Sequence, residues 1–295
     1  IIGESHSKGH SSIYGYEKDT NPRIQHLIDD SLVYAFHNIV SPATVTTQSF
    51  KYILNTRHHS DIQKEWYKFP SIITILKAAG YRTLWYSNQD EVGLYDNMAS
   101  CFAHICDYYH FNTKKTRLDG DLISLHKPSK GKEFIIYHLM GQHVDFAKRY
   151  PESYKKFKAT DYDKKKCQKR EVAAHYDNAC LYNDFVVAQL MEKYKNEDAI
   201  VIYYPDHGID VFQSSPNYFG HAHGFKKESR KTGLQIPCFI YLSPLYKDHH
   251  KALTAQTQRS LDRKYCTADM TFTLMYVAGY DFAQHPTDTL YSLIK

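Results

Sequence analysis

Short apolar runs recur five times along this chain and are separated by segments with helical periodicity. The strand-like runs cover residues 1–3, 83–86, 134–138, 200–204 and 237–242. The helical segments cover residues 22–30, 47–55, 71–79, 170–193 and 268–278. Alternating strands and helices are typical of a parallel sheet whose crossover connections place helices on its faces. The sequence therefore predicts an α/β fold with a mostly parallel central sheet and helices on both faces.

The length fits one large α/β domain as well as two small ones, and we favour one domain. A chain of 295 residues with 42% apolar content can bury a full core. It contains no uncharged apolar run of about 18 residues, the length that a bilayer span requires. It begins inside a strand without an initiator Met, so we expect that an upstream segment has been removed. We expect residues 1–295 to form a single soluble domain and a monomer.

The charge balance excludes one class of partner. A net charge of +5 is too small to indicate a nucleic-acid-binding protein. Local basic clusters such as Lys164-Lys165-Lys166 could favour an anionic membrane surface or a phosphorylated glycolipid, and a solvated surface is the alternative. The Lys-rich stretch 154–170 is the best candidate for a mobile surface excursion.

The cysteine spacing gives no structural zinc motif. Six cysteines are present, and no pair has the C-x-x-C spacing. Cys101 and Cys106 are near enough in sequence for a small-loop disulfide. Cys180 and Cys238 lie in apolar runs and are predicted to be buried thiols.

Acidic and imidazole side chains follow two of the predicted strands. Asp206 and His207 come directly after the run at 200–204, and Glu4 follows the run at 1–3. The carboxyl ends of neighbouring strands in an α/β sheet form one crevice, where ligands usually bind. Two carboxylates and an imidazole are zinc ligands, and a three-residue set leaves a position for a nucleophile or substrate oxygen. The sequence therefore predicts a catalytic zinc site.

A nucleophile could come from residues 38–48, which offer several hydroxyls just before the helix predicted at 47–55. A helix N-terminus favours negative charge, and its free N–H groups can hold a phosphoryl group. An ordinary Ser or Thr helix cap is the alternative. Three histidines near predicted strand ends could contact the transferred group or a second metal, or be ordinary hydrogen-bonding residues: His143, His221 and His223.

The pattern resembles the catalytic domain of the phosphoethanolamine transferases, which belong to the alkaline phosphatase and sulfatase-like superfamily. Nearly the whole chain takes part in the resemblance. The segments that carry it lie in the family order at residues 2–5, 12–16, 138–143, 148–151, 176–178, 181–184, 206–208 and 262–265. The similarity is greater to the branch that decorates the lipopolysaccharide core than to the branch that acts on lipid A.

The resemblance implies a role for each candidate residue. Glu4, Asp206 and His207 correspond to zinc ligands, and Thr46 corresponds to the nucleophile that completes the coordination, with Thr44 as the fallback. His143 and either His221 or His223 match histidines that contact the phosphoryl group or a second zinc. One zinc site is expected, and a second is possible.

The implied reaction is transfer of phosphoethanolamine from phosphatidylethanolamine to a lipopolysaccharide, lipid A or other glycan acceptor through a phosphothreonine. The implied location is the periplasmic face of the bacterial inner membrane, with an upstream membrane domain. The alternative enzymes are a phosphoglycerol transferase and a phosphodiesterase or other hydrolase of the same superfamily. The non-enzymatic alternative is a glycan-binding domain on a decayed enzyme fold.

Overall fold

A computed structural model describes residues 1–58, 61, 63–93, 97–114, 117–221, 227–283 and 291–294. Within these residues the central sheet has seven strands, in the order β2-β10-β7-β1-β6-β4-β5. The strands are β1 (Ile2–Gly3), β2 (Val33–Ala35), β4 (Arg82–Ser87), β5 (Tyr108–Phe111), β6 (Glu133–His138), β7 (Ile200–Pro205) and β10 (Phe239–Leu242). Four pairings are parallel, and β10 runs antiparallel to both of its neighbours. The predicted mostly parallel sheet is confirmed.

Two apolar layers cover the faces of the sheet. Alternation along β4 shows the division, because Trp85 packs into one layer while Leu84 and Tyr86 pack into the other. Contacts between helices pair α1 with α5 near one layer, and α2 with α4 and α3 with α9 near the other. These helices are α1 (Pro22–Asp29), α2 (Thr46–Ile53), α3 (Ile72–Ala78), α4 (Asn97–Ala103), α5 (Arg170–Glu192) and α9 (Met270–Val277).

The sequence prediction lacked β2, β5 and α4, and it also lacked the remaining strands and α-helices. They are β3 (Asn38–Val40), β8 (Asp210–Val211), β9 (Phe219–Gly220), α6 (Lys227–Leu234), α7 (Pro244–His249), α8 (Lys251–Arg259) and β11 (Lys264–Cys266). The short strands have too few residues to show a period of two, and α6 and α8 have a polar average composition. Gly80 lies between α3 and β4. Its φ of 83° is in the left-handed region that glycine adopts readily, which explains why a glycine follows the end of this helix.

All six cysteines are free thiols, so the suggested disulfide between Cys101 and Cys106 is not formed. Cys101 is exposed, whereas Cys106 is buried against α4, where its Sγ lies 3.8 Å from the carbonyl oxygen of Phe102. Cys180 and Cys238 are fully buried, as predicted.

Residues 154–170 pack along α5 instead of projecting from the domain. Short 3-10 turns at Glu152–Tyr154 and Ala159–Asp161 contact this helix, and Phe157 and Cys167 are buried. The hydroxyl of Tyr162 donates to Asp177 Oδ2 on α5 at 2.6 Å. Whether this stretch is mobile stays a prediction.

No helix within the described ranges is both long enough and apolar enough to cross a bilayer. A cavity of about 680 Å³ lies between the amino-terminal parts of β6 and β7, where its lining includes Phe134, Ile135 and Ile200. None of the predicted site residues lines this cavity, so it is separate from the strand ends that carry them.

Asp184 on α5 caps the neighbouring helix α1. Its two carboxylate oxygens accept hydrogen bonds from the backbone N–H groups of Arg23 and Ile24 at 2.9 and 3.0 Å, and Asp184 is only 1% exposed. Two of the N–H groups that a helix leaves unsatisfied at its start are therefore bonded by a buried side chain from another element.

Asp184→Ala should lower the free energy of unfolding by about 1–3 kcal/mol, because it leaves buried donors without acceptors. Asp184→Asn should cost less, since its amide oxygen can still accept one bond. Urea unfolding curves measure the change, with Asp29→Asn at the exposed end of α1 as the control. Equal curves for Asp184→Ala and the control would contradict the capping role.

Candidate metal centre

Three buried side chains meet at the carboxyl ends of β1 and β7. Glu4, Asp206 and His207 each offer a ligand atom, these atoms lie within 4.8 Å of one another, and each residue is at most 1% exposed. Strand pairing explains the meeting, because Gly3 and Pro205 are register partners in adjacent parallel strands. The predicted crevice thus brings residues from the start and from the last third of the chain into one site.

The imidazole of His207 is oriented for binding a cation. Its Nδ1 lies 2.8 Å from the carbonyl oxygen of Gly208, and since a carbonyl only accepts, Nδ1 carries the proton. The lone pair of Nε2 then faces the two carboxylates, 3.3 Å from Glu4 Oε1 and 3.5 Å from Asp206 Oδ2. A backbone carbonyl that fixes the tautomer in this way is a common partner of metal-binding histidines.

The electrostatics of the site call for positive charge. Burial raises the pKa of Glu4, but His207 and His143, together with a hydrogen bond from Ser5, outweigh burial and lower this pKa overall. Burial and the Glu4 carboxylate raise the pKa of Asp206. Asp206 Oδ2 is buried and has no hydrogen-bond partner among the described residues. Because a buried carboxylate oxygen is costly without a partner, this donor set fits a divalent cation such as zinc.

Thr46 joins this group from the first turn of α2. Its Oγ1 lies 3.0 Å from Glu4 Oε2 and 3.2 Å from His207 Nε2. It is the first residue of the helix, one position earlier than the predicted start, and follows the extended residue Val45. Thr44, the fallback, instead lies with its Cγ2 against Gly233.

The three predicted histidines have different outcomes. The ring of His221 lies 4.9 Å from the ring of His207, nearly perpendicular to it. His143 is half-buried and near enough to Glu4 to affect its pKa, and its Nδ1 is buried without a partner among the described residues. His223 lies outside the described residues, so its expected role stays a prediction.

The loop that presents His143 is held from two sides. The buried carboxylate of Asp119 accepts the backbone N–H groups of Met140 and Gly141, both at 2.8 Å. The Arg149 guanidinium donates to the carbonyl oxygen of His143 at 3.1 Å. A Cβ at Gly141 would lie 2.7 Å from the carbonyl oxygen of Glu4, so only glycine allows this close packing.

The backbone after Glu4 adopts a conformation that non-glycine residues rarely use. Ser5 has a φ of 55°, and its Oγ donates to Glu4 Oε1 at 2.5 Å. The buried hydroxyl of Tyr176 on α5 holds this turn, because it donates to Ser5 O at 2.7 Å and accepts from Ser7 N at 2.8 Å. Sequence analysis missed the roles of Ser5, Asp119 and Tyr176, since no local pattern marks a side chain that supports a turn elsewhere in the chain.

The comparisons with known proteins agree with this geometry. The family model described as Sulfatase matches residues 1–280, so the chain belongs to the sulfatase family. The chain is 30% identical over 301 residues to phosphoethanolamine transferase EptC of Escherichia coli K12, and the match covers 96% of this chain and 50% of that protein. It is 27% identical over 292 residues to the Kdo(2)-lipid A phosphoethanolamine 7''-transferase of the same strain, and this match covers 95% of this chain and 49% of that protein. The chain therefore spans about half the length of these relatives.

A solved structure gives the same result for the fold. The C-terminal periplasmic domain of E. coli EptC in complex with zinc matches with a TM-score of 0.85 and 27% identity, over 100% of this chain and 84% of that chain. An alkaline phosphatase superfamily protein from Vibrio parahaemolyticus matches with a TM-score of 0.62 and 19% identity, over 94% of this chain and 65% of that chain. The alkaline phosphatase and sulfatase-like fold and the resemblance to the phosphoethanolamine transferases are confirmed.

Asp206→Asn should separate the metal requirement from folding. Without metal the variant should be more stable than the wild type by about 1 kcal/mol, because it removes a buried carboxylate that faces Glu4. With zinc the wild type should gain thermal stability and the variant should gain much less. Thermal unfolding in chelator and over a zinc titration measures both effects. Equal stabilisation of the two proteins by zinc would contradict the assignment of Asp206 as a ligand.

Tyr176→Phe should lower the free energy of unfolding by about 1–3 kcal/mol, since it leaves Ser7 N and Ser5 O buried without a partner. Tyr241→Phe is the matched control, because the Tyr241 hydroxyl is buried with no hydrogen-bond partner among the described residues. We expect the control to be neutral or slightly stabilising in chemical denaturation. If both variants lose the same stability, the hydroxyl of Tyr176 does not hold the turn.

Proposed function

We propose that this chain is the catalytic domain of a zinc-dependent phosphoethanolamine transferase. The observation that carries the proposal is the position of Thr46 Oγ1, within 3.2 Å of both Glu4 and His207. A hydroxyl held at a helix start beside a cation site is an arrangement suited to nucleophilic attack on phosphorus. The named relatives support phosphoethanolamine as the transferred group.

Glu4, Asp206 and His207 would hold the zinc ion, with Thr46 completing the set. Zinc in such a site lowers the pKa of a neighbouring hydroxyl and neutralises charge on phosphoryl oxygens. Thr46 Oγ1 donates toward Glu4 Oε2, which orients the oxygen in the site. The half-buried His143 and His221 border this group and would contact the phosphoryl oxygens.

The reaction would proceed by two displacements at phosphorus. In the first, the Thr46 oxygen bonds to the phosphorus of phosphatidylethanolamine and the bond to diacylglycerol breaks. The threonine proton is released, and the leaving oxygen takes up a proton. In the second, an acceptor hydroxyl or phosphate oxygen bonds to phosphorus and the Thr46 oxygen leaves with a proton. Phosphoethanolamine is thereby moved without a net redox change.

We propose a lipopolysaccharide core, lipid A or similar glycan as the acceptor. Lipid A appears in the name of one relative, and the E. coli EptC domain is described as periplasmic. The corresponding location for this chain is the periplasmic face of the inner membrane, with attachment through a domain outside the 295 residues. A phosphoglycerol transferase or a hydrolase of the same fold would use the same nucleophile, so product analysis must distinguish them.

Incubation with phosphatidylethanolamine in detergent should give a protein whose intact mass includes one phosphoethanolamine, located on Thr46. Thr46→Ala should stay folded and give no adduct, whereas Thr44→Ala should keep it, because Thr44 packs on Gly233. An adduct on Thr44, or a phosphoglycerol adduct from phosphatidylglycerol alone, would overturn the assignment. Tight zinc binding without any adduct or turnover would favour a glycan-binding domain.

A further inference from the structure

The positive charge of the protein is concentrated in one segment. Residues 154–170, here called the basic segment, contain eight of the 37 lysines and arginines and two of the 32 acidic residues. The segment therefore carries a net charge of +6, while the whole chain carries +5. The other 278 residues together carry −1, so the excess charge is a local feature and not a general property of the surface.

Besides Lys158, four lysines in the second half of the basic segment form no ion pair among the residues that the structure describes: Lys164, Lys165, Lys166 and Lys169. All four are exposed. By contrast, Lys155 pairs with Glu152 and Lys156 pairs with Asp19, both at 3.0 Å. A group of like charges that is not neutralised within the protein attracts anions, and the attraction increases as the ionic strength falls.

Several contacts anchor the basic segment to the rest of the domain. Tyr162 is bonded to Asp177, and Cys167 between the lysines is buried. The backbone N–H of Gln168 donates to the carbonyl oxygen of Pro216 at 2.9 Å. Since Pro216 lies in the loop between β8 and β9, the segment is attached directly to this hairpin.

The same hairpin leads into the metal centre. Lys169 Nζ lies 5.2 Å from the centre of the Phe219 ring on β9. Two residues after Phe219, His221 packs its ring 4.9 Å from that of His207. Phe219 also contacts Phe146, which lies in the short 3-10 turn that follows the His143 loop. Lys169 therefore borders the wall of the site that carries the two candidate phosphoryl-contacting histidines, and Lys164, Lys165 and Lys166 precede it by three to five residues.

We propose that Lys164, Lys165, Lys166 and Lys169 bind the phosphate groups of a phosphorylated oligosaccharide and hold this acceptor beside the metal centre. The inference rests on the proposed transferase function and adds the surface that selects the acceptor. Lysine ammonium groups bind phosphate as mobile point charges, which suits an acceptor with several phosphates in variable positions.

A glycan fits these observations better than a bilayer does. An anionic bilayer also attracts short polybasic segments, but that attraction does not require the segment to contact the site of the chemistry. Here the unpaired charges lie on one short segment that is hydrogen-bonded to the hairpin beside the metal centre. This contact would hold a bound oligosaccharide on the side of the domain that carries the proposed nucleophile. Binding to a flat membrane surface would not require it.

Binding of a soluble phosphorylated oligosaccharide, prepared by removing the acyl chains from lipopolysaccharide, tests the proposal. The variant Lys164→Gln, Lys165→Gln, Lys166→Gln should lose about tenfold in affinity at low ionic strength and show a weaker salt dependence. The matched control replaces three exposed lysines by Gln: Lys127, Lys130 and Lys195. These lysines precede β6 and β7 in the chain, on the side of the amino ends of these strands, whereas the metal centre lies at carboxyl ends. The control has the same change in net charge and should bind as the wild type does. Calorimetry measures the affinities.

Three results would overturn the proposal. They are equal losses in the two triple variants, equal binding of the enzymatically dephosphorylated oligosaccharide, and a loss confined to co-sedimentation with phosphatidylglycerol vesicles. The last would assign the basic segment to a membrane surface. Failure of the transferase function is a separate outcome, because it appears as the absence of an adduct on Thr46 in the wild type, a measurement that needs no acceptor.

Discussion

The repulsion between two buried carboxylates is the constraint on which the rest of the structure depends. Glu4 and Asp206 are held at adjacent strand ends, away from water, with the imidazole of His207 beside both of them. In a medium of low effective dielectric such an arrangement is costly without a cation. A fold that maintains this arrangement in spite of the cost gives up stability there, as is common at functional sites.

Several features of the chain serve to hold this arrangement. Strand pairing fixes the two acids, the Tyr176 hydroxyl fixes the turn after Glu4, and Gly141 lets the histidine loop pack on the Glu4 backbone. The helix α2 then brings Thr46 to the carboxylates from a third direction.

The sequence predicted the parts of the molecule that follow from local patterns. The five apolar runs became central strands, and the rule that strand ends share one crevice was enough to group Glu4 with Asp206 and His207. The approach failed where the deciding contact lies far away in sequence. Tyr176 holds the backbone at Ser5, 171 residues away. The suggested Cys101–Cys106 disulfide is not formed, since Cys101 is exposed on α4 and Cys106 is buried after the helix ends. The role of His223 remains untested because it lies outside the described residues.

The strand that carries Glu4 is the central one of seven, with three strands on each side. Hydrogen exchange in such sheets begins at the edges, and the centre opens only when the whole domain unfolds. The hairpin next to His221 consists of two strands of two residues each, so far fewer backbone hydrogen bonds hold it than hold the central strands. The two walls of one site therefore belong to different classes of stability. The two acids persist as long as the fold does, while the wall beside His221 persists only as long as the side chains around the hairpin stay packed against α5.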